Sequence, residues 1–278
     1  MQDLQWNIYK KAREGRDMRK KQDLYISHLL TDEEMKRLIE KTHAGIESIE
    51  FSIAENLDHR KSRLKSYKKR LEYMGCRRLT LHGPFLDLNP VSYDTKIAGA
   101  TRERYEQVYE VAQCLGAEKI IFHSCFLPQI YYLEGWVERT AEFWNDFLRE
   151  KEGIQILLEN VYDREIVPLT EVKDRVESPE FMLCLDVGHA HCYSAFSVEQ
   201  WITQMGERIS HVHLHDNWGQ KDSHLALSHG NIPWKKIFPL FEALGGPISH
   251  TLECNFSEDI QLSWEFLQQN KNFRKQNP

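Results

Sequence analysis

The sequence predicts an α/β chain folded as a (β/α)8 TIM barrel, a single domain with a short N-terminal extension. Three observations predict it. Short apolar or β-branched runs alternate eight times with longer stretches of helical period, the pattern of repeated βα units around a parallel sheet. No glycine fingerprint follows the first run, as an open dinucleotide-binding sheet would want. Metal-binding residue types close six successive runs, and a barrel brings all such ends to one face.

Residues 1–22 stand outside the alternation. Lys10, Lys11, Arg13, Arg16, Arg19, Lys20 and Lys21 make them basic, and they read as a solvated extension, either a helix across the barrel bottom or an arm. The barrel is expected over 23–278, its first strand being LYISH, near Asp23 to His28. TDEEMKRLIEKTHAG then reads as a helix signed at both ends: Thr31 is the N-cap, Glu34 follows three residues on, and Gly45 is the stop. The second strand is read over 46–53 in IESIEFSI, and HRKSRLKSYKKR, His59 to Arg70, as a solvated helix face. RLTLH at 78–82 is the third strand, with TRERYEQVYEVAQCLG as a helix after it, and KIIFH at 119–123 the fourth, followed by LEGWVERTAEFWNDFLRE. IQILLE at 154–159 and FMLCLD at 181–186 are the fifth and sixth, with SVEQWITQMG helical beyond them. SHVHLH at 210–215 is the seventh and SHTLE at 249–253 the eighth; between them PWKKIFPLFEALGG is opened by Pro233 at an early helical position.

The 278 residues suffice for one such barrel, which takes about 250. A hydrophobic fraction of 41% supplies its core, and 28% charged residues cover a soluble exterior, which excludes a disordered chain. No apolar run approaches the roughly 20 residues that cross a bilayer, and the start lacks an apolar leader core, so the cytoplasm is the expected compartment. The six cysteines are scattered with no CxxC pair and read as reduced, small core residues. A net charge of −6 gives no global drive toward nucleic acid.

The six strand ends are His82 in LHGPF, His123 in IIFHS, Glu159 in LLEN, Asp186 in LCLDVGHAH, His213 in HVHLHD and Glu253 in TLECN. His189 follows Asp186 by three residues, and Asp222 and His224 lie in the loop after the seventh strand. A lone strand-end histidine is usually a hydrogen-bonded structural residue. Three carboxylates gathered with imidazoles at one mouth are another matter, because burying them together is costly unless a cation neutralises them. The mixed set suits Zn²⁺, Mn²⁺, Fe²⁺ or Co²⁺ better than Ca²⁺. His211 and His215 share the inward parity of His213, but two residues is about 6–7 Å along a strand. His211 therefore reads as deep core and His215 as a supporting or rim residue. His191 and His229 read as partners for a phosphate or hydroxyl at the mouth, or as plain loop residues. His28, His43, His59 and His250 carry no functional reading.

Taken in order, LLEN, LDVGHAH, HVHLHDN, DSHLALSHGNIPWKKIF and TLEC resemble the xylose isomerase-like TIM-barrel superfamily, from about Asp23 to the C-terminus. That superfamily includes sugar epimerases and isomerases and the apurinic endonucleases of the endonuclease IV type. The resemblance implies that Glu159, Asp186, His213 and Glu253 form the four-ligand metal site of the epimerase branch, with Glu159 and Glu253 as its acid/base pair. There the metal chelates a sugar carbonyl and the adjacent hydroxyl and supports an enediolate, one carboxylate removing the proton and the other returning it. The endonuclease branch implies nine ligands for three zinc ions, and His82, His123, Glu159, Asp186, His189, His213, Asp222, His224 and Glu253 match all nine types. The loops depart from that branch: EFSIAENLDHR stands where its basic, polar loop follows the second strand, VYDRE replaces a glycine run after LLEN, and Phe85 stands in place of Tyr. DNA gripping needs such loops, because phosphate contacts supply most of the affinity. From the ketose epimerases it departs in reading NWGQKDSH where they carry an Arg; Lys221 or His229, beside His189 and His191, are the candidates for that substrate contact.

The expectation is a divalent-metal-dependent isomerase or epimerase, with one to three ions of zinc, manganese, cobalt or iron. Its expected partner is a small-molecule sugar or sugar phosphate, with no membrane and with a homo-oligomer allowed. A zinc-dependent phosphodiesterase or abasic-site endonuclease is the alternative, so nucleic acid ranks second.

Overall fold

The computed structural model describes residues 23–270, so the basic stretch of the N-terminal extension and the last eight residues lie outside the described residues. Eight short runs become strands: β1 (Leu24–Ser27), β2 (Gly45–Ser48), β3 (Leu79–His82), β4 (Lys119–His123), β5 (Gln155–Glu159), β6 (Phe181–Asp186), β7 (Ile209–Leu214) and β8 (Ser249–Leu252). All pair in parallel with their sequence neighbours, and β8 closes on β1, giving the expected barrel. Parallel neighbours need a crossover, and the helical stretches supply one each time.

The first helix, α1 (Asp32–Thr42), carries the expected capping box between Thr31 and Glu34. Its end differs from the reading. The chain leaves the helix at His43, in the left-handed conformation with φ 56°, and Gly45 is the first residue of β2. Gly45 is required for packing, because a Cβ there would lie 2.5 Å from the Tyr25 ring.

The second strand is shorter than expected, ending at Ser48 instead of 53. A 3₁₀ turn at Glu50–Ser52 and a short helix α2 (Ala54–Asp58) replace its second half. Side chains fold the chain off the sheet there: Ser48 Oγ accepts from the Glu50 N–H at 3.2 Å, and Asn56 Nδ2 donates to the Glu50 carbonyl at 2.7 Å. The basic stretch follows as α3 (Arg60–Tyr73), which buries only Tyr67 and Leu71 in its length and otherwise faces solvent.

The remaining helices are α4 (Thr95–Leu115), α5 (Trp136–Leu148), α6 (Val167–Arg175), α7 (Val187–Tyr193), α8 (Val198–Met205), α9 (Trp234–Ala243) and, after the last strand, α10 (Ser257–Gln269). The fourth begins well before the TRERY stretch, because Asp94 caps it by accepting from the Lys96 N–H at 2.8 Å. Pro233 is the N-cap of α9 and not a residue inside it. No helix among the described residues is long and apolar enough to cross a membrane.

The helices cover the outside of the barrel with one continuous apolar core that includes Tyr105, Phe122, Trp144 and Phe181. The lumen is different. Its apolar content is a small cluster of Ile121, Leu157 and Cys184, while Glu47, Thr80, His211, His213 and Thr251 are all completely buried around it. So many polar groups inside a closed barrel require partners, and those partners define the site.

Candidate metal and catalytic site

Strand register decides which polar residues meet. Glu159 on β5 is level with His123 on β4 and Cys184 on β6, and Asp186 on β6 is level with His213 on β7. His213 is in turn level with Thr251, so Glu253, two residues on, is the next inward position past the end of β8. These ends converge around one atom. His213 Nδ1 lies 3.1 Å from Glu159 Oε1, 3.5 Å from Glu253 Oε1 and 3.7 Å from Asp186 Oδ2.

Beside this centre, His82 Nε2 and His123 Nε2 each lie 3.6 Å from Glu159 Oε2 and 3.2 Å from each other. The Phe85 ring stacks on His123 at 4.4 Å, giving that side of the mouth an apolar wall. On the other side, Asp186 caps α7 by accepting from the His189 N–H at 2.7 Å. That cap turns His189 back over the mouth, with Nδ1 3.5 Å from Glu159 Oε1 and Nε2 3.3 Å from Asp222 Oδ2. His224 Nε2 completes the chain of contacts, 2.9 Å from Asp222 Oδ2. All nine residues matched by the endonuclease branch therefore lie in one connected cluster.

Asp222 and His224 reach the mouth because the loop after β7 folds back. Asp216, wholly buried, accepts from the N–H groups of Asn217, Ser228 and Ile232 at 2.8, 2.9 and 3.2 Å and from Trp234 Nε1 at 2.7 Å. Its backbone also forms an antiparallel bridge with Leu225. Gly230 lets the returning chain pass, since a Cβ there would lie 2.2 Å from the Asn217 carbonyl oxygen.

Three predicted substrate contacts stand away from this cluster. His191 Nε2 pairs with Asn231 Oδ1 at 2.7 Å, while Lys221 and His229 are exposed on the β7 loop. Two histidines are placed more sharply than the sequence allowed. His211 is indeed deep in the core, with Nδ1 2.6 Å from Ser249 Oγ and Nε2 2.8 Å from Thr251 Oγ1. His215 is not at the rim; it is fully buried between Asp186 and Asp222 and stacks on the His224 ring at 4.0 Å.

Glu47 is the residue that sequence reasoning missed. It is completely buried on β2, its Oε1 lying 3.1 Å from His213 Nε2, and its Oε2 accepts from Thr251 Oγ1 at 2.7 Å and Thr80 Oγ1 at 3.2 Å. A carboxylate beside the outer nitrogen of an imidazole favours the proton there and leaves the inner nitrogen free to act as a ligand. Its position in IESIEFSI was the available signal, since a Glu inside a buried strand is rare without a partner.

Charge separates the carboxylates. Burial pushes the Glu159 carboxyl up, but the His213 and His123 imidazoles facing it hold it well below its ordinary value. Asp186 is likewise held low against burial by His189 and His215. Glu253 goes the other way: burial raises it more than His213 lowers it, and the like charges of Glu47, Glu159 and Asp186 add to the rise. Burial drives His123 down to about 3, keeping its imidazole neutral.

The residues fit a divalent cation on two grounds. Glu159 Oε2, His215 Nδ1 and Asp222 Oδ1 are buried with no hydrogen-bond partner, and such groups are costly to leave unmet. The donors themselves are imidazole nitrogens and carboxylate oxygens, the set that first-row divalent ions take.

An eight-stranded parallel barrel with its polar constellation at the C-terminal strand ends is the architecture of a TIM-barrel active face. Residues 41–269 match the xylose isomerase-like TIM barrel family, and the chain belongs to it. It is 28% identical over 203 residues to the uncharacterized protein MJ1311 of Methanocaldococcus jannaschii, covering 69% of each chain. Among solved structures it resembles the TTHB071 protein from Thermus thermophilus, in a crystal soaked with zinc chloride, at 25% identity. That match has a TM-score of 0.73 and covers 88% of this chain and 96% of that one. A D-tagatose 3-epimerase-like protein shares the fold with a TM-score of 0.76, at 22% identity over 91% of this chain and 97% of that one.

Proposed function

We propose that this chain is a divalent-metal-dependent isomerase or epimerase acting on a sugar or sugar phosphate. The observation that carries the reading is the gathering of Glu159, Asp186 and Glu253 around His213 Nδ1 at the strand ends. When bound there, a divalent cation supplies Lewis acidity to a carbonyl and its neighbouring hydroxyl, which acidifies the intervening C–H bond. Glu159 and Glu253 flank that position from different strands. One takes the proton from carbon and the other returns it, to the opposite face in epimerisation or to the adjacent carbon in isomerisation. Their environments push the two carboxyls in opposite directions, as an acid and a base working together require. Phe85 and the buried walls limit water at the reacting carbon. Lys221 and His229 on the β7 loop and His191 on α7 are the groups available to a phosphate or distal hydroxyl of the substrate. The scattered thiols and the absence of a membrane-crossing helix among the described residues suit a cytoplasmic enzyme.

The test is proton exchange at a sugar carbon in deuterated water, with manganese or cobalt supplied and ketoses, aldoses and their phosphates screened. Exchange by the unmodified chain and its loss in Glu253→Gln is the expected result; unchanged exchange in the variant removes Glu253 from the acid/base role.

One observation favours a second reading, a zinc-dependent phosphodiesterase: His82, His123, His189, Asp222 and His224 join the four central residues in the same cluster. That reading requires nicking of an abasic-site duplex, with binding that weakens steeply as salt rises.

A further inference from the structure

Large apolar side chains are exposed mainly on one face of the barrel. Among the described residues, all but Tyr73 and Leu262 of those most exposed lie between the C-terminal end of a strand and the first turn of the helix after it, around the mouth. Single apolar residues on a surface need no explanation, but their collection on the active face does.

Part of that surface is continuous with the site. Tyr193 ends α7, one turn beyond His189, and its ring lies 6.1 Å from the His189 ring. The Tyr162 ring, from the loop after β5, packs on Tyr193 at 4.9 Å and is 45% exposed. Trp218 joins from the loop after β7, 59% exposed in a fixed turn. Asn217, wholly buried, donates from Nδ2 to the Gly188 carbonyl at 3.0 Å and accepts from the Gly219 N–H at 2.8 Å, which pins that turn to the start of α7. Gly219, with φ 78°, passes so close to His191 that a Cβ would lie 3.3 Å from its Nε2. Aromatic side chains from three elements thus stand about α7, from the edge of the metal-binding cluster out to solvent.

Such a wall suits sugar rings. Their C–H faces stack on an aromatic face while their hydroxyls stay at the edge, free for polar groups such as His191. A sugar chelated at the metal by its first two carbons occupies the centre, and the outer aromatic rings lie beyond it. We propose that the substrate is the reducing end of an oligosaccharide, whose next unit stacks on Tyr193, Tyr162 and Trp218. The proposal rests on the isomerase reading above and names its substrate class. The terminal unit supplies the open-chain C1 carbonyl and the C2 hydroxyl. The proton leaves C2 to one carboxylate and the other returns one to C2 or to C1, the hydroxyl proton passing from O2 to O1 in the second case. The glycosidic bond stays intact and no further reactant is consumed. An uncharged chain of sugars needs no phosphate contact, in keeping with the exposure of Lys221 and His229 away from the cluster.

The experiment follows deuterium incorporation and, separately, binding by calorimetry. It uses the manganese-loaded full chain with glucose, cellobiose, maltose, cellotriose, maltotriose and glucose 6-phosphate. Expected is a KM about tenfold lower for a di- or trisaccharide than for glucose, with kcat nearly level, because stacked units add binding and not chemistry. Trp218→Ala and Tyr162→Ala should each erase most of that gain, whereas Leu262→Ala, at an exposed apolar position on α10, should keep it. Equal KM for glucose and its oligomers, or a preference for glucose 6-phosphate, overturns the proposal and leaves the isomerase reading standing. So does a gain that survives both aromatic substitutions, or an assembly of copies that Trp218→Ala disperses with KM unchanged. Oligosaccharide binding that Trp218→Ala weakens, in a chain that exchanges no proton, supports the wall and defeats the isomerase reading. Neither binding nor exchange with any of these sugars defeats both.

Discussion

Two polar layers lie one above the other inside the barrel. The lower holds Lys119, His211, Ser249, Thr251, Thr80 and Glu47, linked hand to hand: Lys119 Nζ donates to Ser249 Oγ at 2.6 Å, Ser249 meets His211, His211 meets Thr251, and Thr251 donates to Glu47. The upper holds Glu159, Asp186, His213 and Glu253, where carboxylates outnumber the groups that could donate to them. Both are buried, yet hydroxyls serve the lower layer as adaptable donors and acceptors, whereas the upper has only charge to offer. Apart from Glu47 Oε1, which has no hydrogen-bond partner, the lower layer is satisfied within the protein, whereas the upper suits the cation proposed above. Glu47 belongs to both, accepting hydroxyl bonds below and facing His213 above.

The difference can be broken first at the top. Glu253→Gln removes a ligand and a proton-transfer group together, and sugar proton exchange should fall roughly 10²–10⁴-fold while the chain stays folded, read by deuterium incorporation and circular dichroism. Removing metal from the unmodified chain should lower its stability by about 2.7 kcal/mol per site held at a hundred times its dissociation constant, measured as the denaturant midpoint with and without chelator. No shift would mean that the upper layer tolerates its own charge.

Breaking the link between layers should have a middle effect. Glu47→Gln keeps an acceptor for Thr80 and Thr251 but loses the charge beside His213 Nε2, so metal affinity should weaken about 10–100-fold in chelator competition. In the lower layer alone, Thr251→Val removes one of the two hydroxyls on Glu47 Oε2, leaving Thr80, and takes the hydroxyl partner from His211 Nε2. It should cost about 1–3 kcal/mol in unfolding free energy and leave metal content unchanged.

The smallest effect sharpens the comparison from outside both layers. Asp163, in the loop after β5, is fully enclosed, and burial raises its carboxyl to about 6 although Ser124 donates to it at 2.6 Å. A raised carboxyl binds its proton more tightly in the folded chain than in the unfolded one. Its contribution to stability is complete below the ordinary value of 3.8 and is lost as pH rises through about 6. Asp163→Asn should remove that fall, so unfolding curves of the two proteins should converge near pH 4 and separate by pH 7 with the variant more stable.

Much of the barrel was legible from local pattern. Strand ends were marked by a polar residue closing an apolar run, as in KIIFH and LLEN, and the capping box at Thr31 marked a helix start without any tertiary information. The second strand was over-extended because its apolar residues continue to Ile53, and only the bonds from Ser48 and Asn56 show that the chain has left the sheet. Glu47 drew no reading within that strand, because only the closed barrel sets it against His213. The rim alternative for His215 failed for a related reason, while the supporting one agrees with its contact to Asp186. A spacing of two residues was converted to distance along an extended strand, but β7 ends at Leu214 and the chain bends at Asp216 toward Leu225.

By itself the sequence determined the fold class, the order of its elements and the inward-facing histidines and carboxylates at the strand ends, because periodicity and strand parity are local properties of a chain. Tertiary structure alone decided which of those residues share a centre. Barrel closure sets the stagger between strands, putting Asp186, His213 and Thr251 in register with Glu253 at the next inward position, and placing Glu47, far from His213 in sequence, beside its outer nitrogen. The grouping of His215 with His189, Asp222 and His224 depends likewise on a loop folded around the buried Asp216, whose partners are spread over many residues. Contacts of that kind form only once the chain has closed, so no window of sequence contains them.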